Sequence, residues 1–143
     1  TSITLPDGVI EIGNNAFERC SNMTSINMGN KVQTIGTGTF HECRKLANIT
    51  LSDSLISIGG SAFEDCTALK NIVIPASVKS IGRYAFSNTY ITSVTFENPN
   101  GWWYSSSSTS TSGTEITAKK LSDVSTAAQY LKSTYYKYYW NRS

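Results

Sequence analysis

The chain has 143 residues, 39% of them hydrophobic and 15% charged, with 12 basic side chains, 10 acidic ones and a formal net charge of +2. That length supports one packed domain. Residues 1–98 hold 8 acidic and 7 basic side chains and residues 99–143 hold 2 and 5, so neither part has the dense basic patch that phosphate backbones require, and nucleic acid is excluded as a partner. No apolar run approaches the ~20 residues that span a bilayer, so no membrane insertion is expected. The chain opens at Thr1 inside a repeat pattern, which reads as a processed or trimmed fragment, and the missing signal peptide then says nothing about export.

In chain order, "SITLP" comes first, with Ile3 and Leu5 two apart, the period of a strand with one buried face. "VIEIG" follows as a second, shorter strand, and Gly13 is expected to turn the backbone through a conformation other residues resist. "NAFERC" then places Ala16, Phe17 and Cys20 where one helical turn brings them to a single side. This unit returns every 23 residues. Ile3, Ile26, Ile49 and Ile72 coincide, with Val94 one residue early; Leu5, Met28, Leu51, Ile74 and Phe96 form the next column. Further columns are Val9, Val32, Leu55 and Val78; Ile12, Ile35, Ile58 and Ile81; Gly13, Gly36, Gly59 and Gly82; Phe17, Phe40, Phe63 and Phe86; and Met23, Leu46, Leu69 and Ile91. No unit buries its apolar side alone, so the units must stack into a continuous core.

These columns, with Ala16, Ala62 and Ala85 before the phenylalanine and Pro6 and Pro75 after the strand, resemble the BspA-like leucine-rich repeat over about residues 1–97. Gly29 and Ser52 replace the proline and Thr39 replaces the alanine. The asparagine ladder of ordinary leucine-rich repeats is absent, its positions holding Gly8, Lys31, Ser54 and Ser77. The fold expected is an α/β, right-handed leucine-rich-repeat solenoid of about four 23-residue units, each a strand, a short strand and a helical turn. Residues 98–143 are expected to cap it with a β-hairpin and a helix.

After Phe96 the pattern stops at "ENPNGWW", a turn signal. "WWYSSSSTSTSGTEITA" reads as two polar strands around a Thr-Ser-Gly turn, with a low-complexity linker as the alternative over residues 105–114. "SDVSTAAQYLKS" reads as a helix with Asp123 as N-cap and Ala127, Ala128 and Leu131 as its buried stripe. The aromatic tail "TYYKYYWNRS" closes the chain.

Chemistry-bearing residues are few. Cys20, Cys43 and Cys66 share one register without the paired spacing of a zinc site, so they read as packing thiols, with a disulfide or metal as lesser alternatives. His41 stands alone, at a position that holds Glu18, Glu64 and Ser87 in other units, and is expected to face solvent. Without a matched nucleophile no hydrolytic triad is assembled, and neither enzyme activity nor a cofactor is expected.

If Ile3 and Leu5 face inward, two columns face out: Ser2, Ser25, Asn48, Asn71 and Ser93; and Thr4, Asn27, Thr50, Val73 and Thr95. They form the candidate partner-binding face for a protein ligand. Trp102, Trp103, Tyr138 and Trp140 form a candidate aromatic site, where a glycan is the alternative ligand, unless these rings simply cover the end of the core. The family resemblance implies a bacterial cell-surface or secreted protein that adheres to host extracellular-matrix or neighbouring-cell surface proteins. A structural spacer is the remaining alternative.

Overall fold

A computed structural model describes all of residues 1–143. The long strands of successive units are β1 (Ser2–Thr4), β3 (Ser25–Asn27), β5 (Asn48–Thr50), β7 (Asn71–Ile74) and β9 (Ser93–Phe96). The short ones are β2 (Glu11–Ile12), β4 (Thr34–Ile35), β6 (Ser57–Ile58) and β8 (Ser80–Ile81). Parallel pairing puts Ile3 beside Ile26 and Ile26 beside Ile49, so the 23-residue sequence period is the hydrogen-bond register itself. β7 and β9 pair with Ile72 beside Val94, the one-residue shortening seen in the sequence. The short strands form a second parallel wall in the order β8-β6-β4-β2.

The third wall is not helical. Asn15 and Arg19 have φ of 56° and 57°, Gly38 and Glu42 63° and 59°, Ser61 and Asp65 54° and 60°, and Tyr84 and Asn88 60° and 56°. Two left-handed residues per unit break any helix. Between them the amides alternate: those of Asn15, Phe17 and Arg19 donate to the carbonyls of Thr37, Thr39 and His41 in the next unit, at 2.9, 2.9 and 2.8 Å. Those of Ala16, Glu18 and Cys20 bond three residues back inside their own unit, at 3.3, 3.1 and 3.2 Å. Ala16, Phe17 and Cys20 thus have helix-like spacing in a segment built of consecutive tight turns.

Gly36, Gly59 and Gly82 have ordinary φ values, which corrects the expectation of a special turn conformation. Their requirement is steric: a Cβ on Gly36 would sit 2.6 Å from the Asn14 amide nitrogen, and on Gly59 and Gly82 closer still to the preceding unit's backbone. Gly13, at the first unit, has nothing within 4 Å of that position.

The core runs along the stack. Phe17, Phe40, Phe63 and Phe86 form a column of near-parallel rings with centroids 5.4, 5.3 and 5.3 Å apart. Each of the buried three contributes about 2–3 kcal/mol by removal from water. Val32, Leu55 and Val78, and Leu46, Leu69 and Ile91, form further fully buried columns. Ile3, Leu5, Val9 and Phe17 of the first unit, with a neighbour on one side only, are half-buried.

Beyond β9, Trp102 and Trp140 close over Phe96, with ring centroids 5.2 and 6.2 Å from it. Their indole nitrogens donate to the carbonyls of Asn98 and Tyr135, at 3.0 and 3.2 Å, which satisfies the polar end of each buried ring. β10 (Trp102–Ser105) pairs antiparallel with β11 (Thr114–Glu115), so the Ser/Thr-rich stretch is a hairpin rather than a linker. Its first strand ends at Ser105, earlier than the sequence suggested, and the connecting loop is correspondingly longer. β12 (Tyr139–Arg142) lies between β10 and β8, placing Trp140 beside Ile81 and carrying the short-strand sheet onward in antiparallel sense.

The expected helix begins at its Asp123 N-cap, and a further short helix precedes it. α1 (Ala118–Ser122) ends where Asp123 turns extended, and α2 (Val124–Gln129) starts there, the Asp123 carboxylate accepting the Thr126 N–H at 2.7 Å. The hydrogen bonds hold the Asp123 carboxyl below the usual carboxylate range. α2 packs on β9 and buries Ala127 and Ala128. Residues Tyr130–Thr134 then widen into a π-helical turn, closed by the Tyr135 N–H on the Tyr130 carbonyl at 2.9 Å.

Candidate functional site

The long-strand face carries the two outward columns in register. Ser2 aligns with Ser25, Ser25 with Asn48, and Asn71 with Ser93; Thr4 aligns with Asn27, Asn27 with Thr50, and Val73 with Thr95. The Ser25 and Ser2 hydroxyls are joined at 2.7 Å. Val73 is 48% exposed in the middle of an otherwise polar surface.

This face is interrupted. β1-β3-β5 and β7-β9 are separate sheets, because no ladder joins β5 to β7. A cleft of about 310 Å³ opens at the seam, bordered by Asn48, Ile49, Thr50, Asn71, Val73 and Thr95. Ile49 is only half-buried there, whereas its counterparts Ile26 and Ile72 are 2% and 4% exposed. Nothing in the aligned sequence marks this step as different from the others.

The proposed aromatic site divides. Trp102 and Trp140 are each 1% exposed and lie inside the end of the core, so neither offers a ring face to a ligand. Trp103, next along β10, points the other way and is partly exposed, and Tyr138 packs its ring 5.0 Å from Tyr104.

A groove on the short-strand wall was not singled out from the sequence. Its volume is about 370 Å³; Gly36, Gly59 and Gly82 make the floor, Thr34, Ser57 and Ser80 one side, and Tyr139 and Asn141 the end. The signal was present: the outward residue of "VIEIG" becomes Thr34, Ser57 and Ser80 in the later units.

The third wall carries the charged groups. His41 lies between two carboxylates, Nδ1 at 3.6 Å from Glu18 and Nε2 at 3.6 Å from Asp65, with its side chain 27% exposed rather than fully in solvent. Arg44 and Arg19 hold the Glu42 carboxyl below its ordinary range through hydrogen bonds. This links successive units without placing a nucleophile on the imidazole.

Cys43 and Cys66 are fully buried free thiols, and Cys20 is a half-buried one. The Cys43 and Cys66 sulfurs donate to the Phe17 and Phe40 carbonyls, at 3.0 and 3.2 Å. Burial pushes the Cys43 thiol up to about 11, from an ordinary 9.0, and Cys66 further in the same direction. No three of His, Cys, Asp and Glu are grouped to hold a metal ion. No helix is long and apolar enough to cross a membrane.

Parallel strands stacked at a fixed 23-residue register, with an inner column of leucine-type residues, define a leucine-rich-repeat solenoid. The chain belongs to the BspA type leucine-rich-repeat family, whose repeat region matches residues 1–110 in six copies. Among solved structures, a leucine-rich repeat protein from Bacteroides ovatus is 41% identical, with 66% of this chain covering 24% of that one at a TM-score of 0.61. The pneumococcal vaccine antigen PcpA is 28% identical over 68% of this chain and 24% of its own, at a TM-score of 0.66. A leucine-rich cell surface protein from Faecalibacterium prausnitzii is 27% identical over 68% of this chain and 32% of its own, at a TM-score of 0.60. The chain therefore spans a quarter to a third of the length of these three. A search of curated proteins finds no match.

Proposed function

We propose that this chain is a non-catalytic protein-interaction and adhesion module of a bacterial cell-surface or secreted leucine-rich-repeat protein, taking its protein ligand on the long-strand face. The observation that carries the reading is the seam between β5 and β7. There, strand edges without ladder partners, the half-buried Ile49 and the exposed Val73 meet in one cleft. Such a place offers a partner a small apolar anchor among outward polar side chains. The cell-surface description of the Faecalibacterium relative and the vaccine-antigen description of PcpA favour a surface setting. His41, occupied by Glu18 and Asp65, has no nucleophile to activate, which favours binding over catalysis.

The test is binding of the purified chain to immobilised fibronectin, fibrinogen, laminin and collagen, read by biolayer interferometry. At least one is expected to bind, with Thr50→Lys and Asn71→Lys each weakening it about tenfold or more. Binding to none of the four, or equal binding by folded variants, would remove matrix adhesion through this face.

A further inference from the structure

The groove on the short-strand wall has a chemistry that the protein-ligand reading does not use. β4, β6, β8 and β12 lie side by side along it, so it runs roughly 14 Å across the stack. Glycines floor it because the backbone of the preceding unit leaves no room for a Cβ. One side repeats a hydroxyl group in three successive units, at Thr34, Ser57 and Ser80. The end is set by β12: Trp140 points into the core, so its neighbours Tyr139 and Asn141 point out, and the loop residue Ser108 reaches the same space.

Three observations narrow the occupant. No residue lining the groove carries a charge, which disfavours ionic ligands. The strands beneath it spend their main-chain groups on the ladder, so a peptide strand finds no backbone partners there. The Asn141 side-chain Nδ2 is shut off from water without a hydrogen-bond acceptor, and it is the single buried side-chain nitrogen or oxygen in the chain so left. A buried donor without an acceptor is costly, and a modest turn about the terminal torsion of the amide would present it to a ligand oxygen. The hydroxyls repeat at one strand spacing, about 4.8 Å, close to the length of one sugar ring in a linear glycan.

We propose that this groove binds a neutral linear glycan, with Tyr139, whose ring also carries the Arg83 guanidinium 5.7 Å from its centroid, as its end wall and Thr34, Ser57, Ser80 and Asn141 as its hydrogen-bonding groups. The site lies on a different wall from β5 and β7 and stands or falls independently of the protein ligand. It differs from the aromatic site expected from the sequence, whose Trp102 and Trp140 are inside the core.

The test is a titration of isotope-labelled chain with cellohexaose, xylohexaose, maltohexaose and N-acetylchitohexaose, followed by amide chemical shifts. At least one sugar is expected to shift residues 34–37, 57–59, 80–82 and 139–141 saturably. Tyr139→Ala is expected to weaken that binding about tenfold, the loss of the end wall. Ser57→Gln, which fills the groove from an outward position and leaves the core and cap untouched, is expected to weaken it at least as much. Thr50→Lys, on the other wall, is expected to leave it unchanged. No shifts with any of the four at about 1 mM, shifts centred on Trp103 instead, or undiminished binding by folded Ser57→Gln would overturn the proposal.

Discussion

The repeat stack and the C-terminal segment bury apolar surface by opposite means. In the stack each inward column holds one class of apolar residue that meets its counterpart in the next unit, as Phe40 meets Phe63 at 5.3 Å. In the segment after β9 each contact occurs once: Phe96 against Trp102, Trp140 beside Ile81, and α2 on β9. A stack tolerates extension because each unit contacts only its neighbours. A terminal segment must instead match one particular end, and larger, individually hydrogen-bonded rings accomplish that here.

The largest expected effect strikes the segment where it joins the stack. Trp140→Ala should cost about 3–5 kcal/mol, since the ring is fully buried between Phe96 and Trp102. Because β12 pairs directly with β8, circular dichroism and the fluorescence of the remaining tryptophans should report one coincident transition at a lower midpoint. Two separate transitions would show that the segment folds as an independent body.

Within the stack, one column supplies its own control. Gly59→Ala should cost about 3 kcal/mol in denaturant unfolding, because its Cβ enters the backbone of the preceding unit. Gly13→Ala, with nothing within 4 Å, should change stability by less than about 0.5 kcal/mol. Equal effects would mean that the glycine serves the turn rather than the stacking.

The thiol column gives a pH-dependent effect. The folded Cys43 thiol stands near 11 and the unfolded one near 9.0, so above pH 9 the unfolded chain releases a proton that the folded chain keeps. Its stabilising contribution is complete below pH 9 and is lost as pH rises through about 11. Urea midpoints between pH 8 and 11 should therefore fall more steeply for the parent than for Cys43→Ala. In the native protein at pH 8, a thiol reagent should modify Cys20 well ahead of Cys43 and Cys66.

The smallest effect concerns backbone strain in the third wall. Ser61, at φ 54°, occupies a left-handed position that Gly38 fills in the preceding unit. Ser61→Gly should raise stability by up to about 1 kcal/mol, reduced by the greater freedom glycine has when unfolded. A loss of stability would show that the serine side chain contributes more than its conformation costs.

Much of the stack was legible because a 23-residue period makes every column its own replicate. The inward isoleucines, the phenylalanine ladder and the outward columns all follow from it. The third wall was misread because Ala16, Phe17 and Cys20 have the spacing of a helical turn. The left-handed positions that forbid a helix are filled by Asn15, Gly38, Ser61 and Tyr84, and by Arg19, Glu42, Asp65 and Asn88, sets with no shared side-chain chemistry. The groove stayed hidden because glycines read as turn residues and because Glu11 interrupts the hydroxyl column. The split between β5 and β7 depends on how the strands lie, and the aligned residues carry no mark of it. In the terminal segment composition indicated a cap and its helix, but a single copy could not tell which tryptophans point inward.

The glycine column has a consequence for how such a surface can be altered. The residues that floor the groove are the ones the core cannot change, since any side chain at Gly36, Gly59 or Gly82 collides with the unit before it. The residues beside them, Thr34, Ser57 and Ser80, face away from the core. Floor and edges are thus under separate control. The floor of the channel is held in place by the stacking, while its edges, and with them its width, can be rewritten unit by unit without unsettling the scaffold.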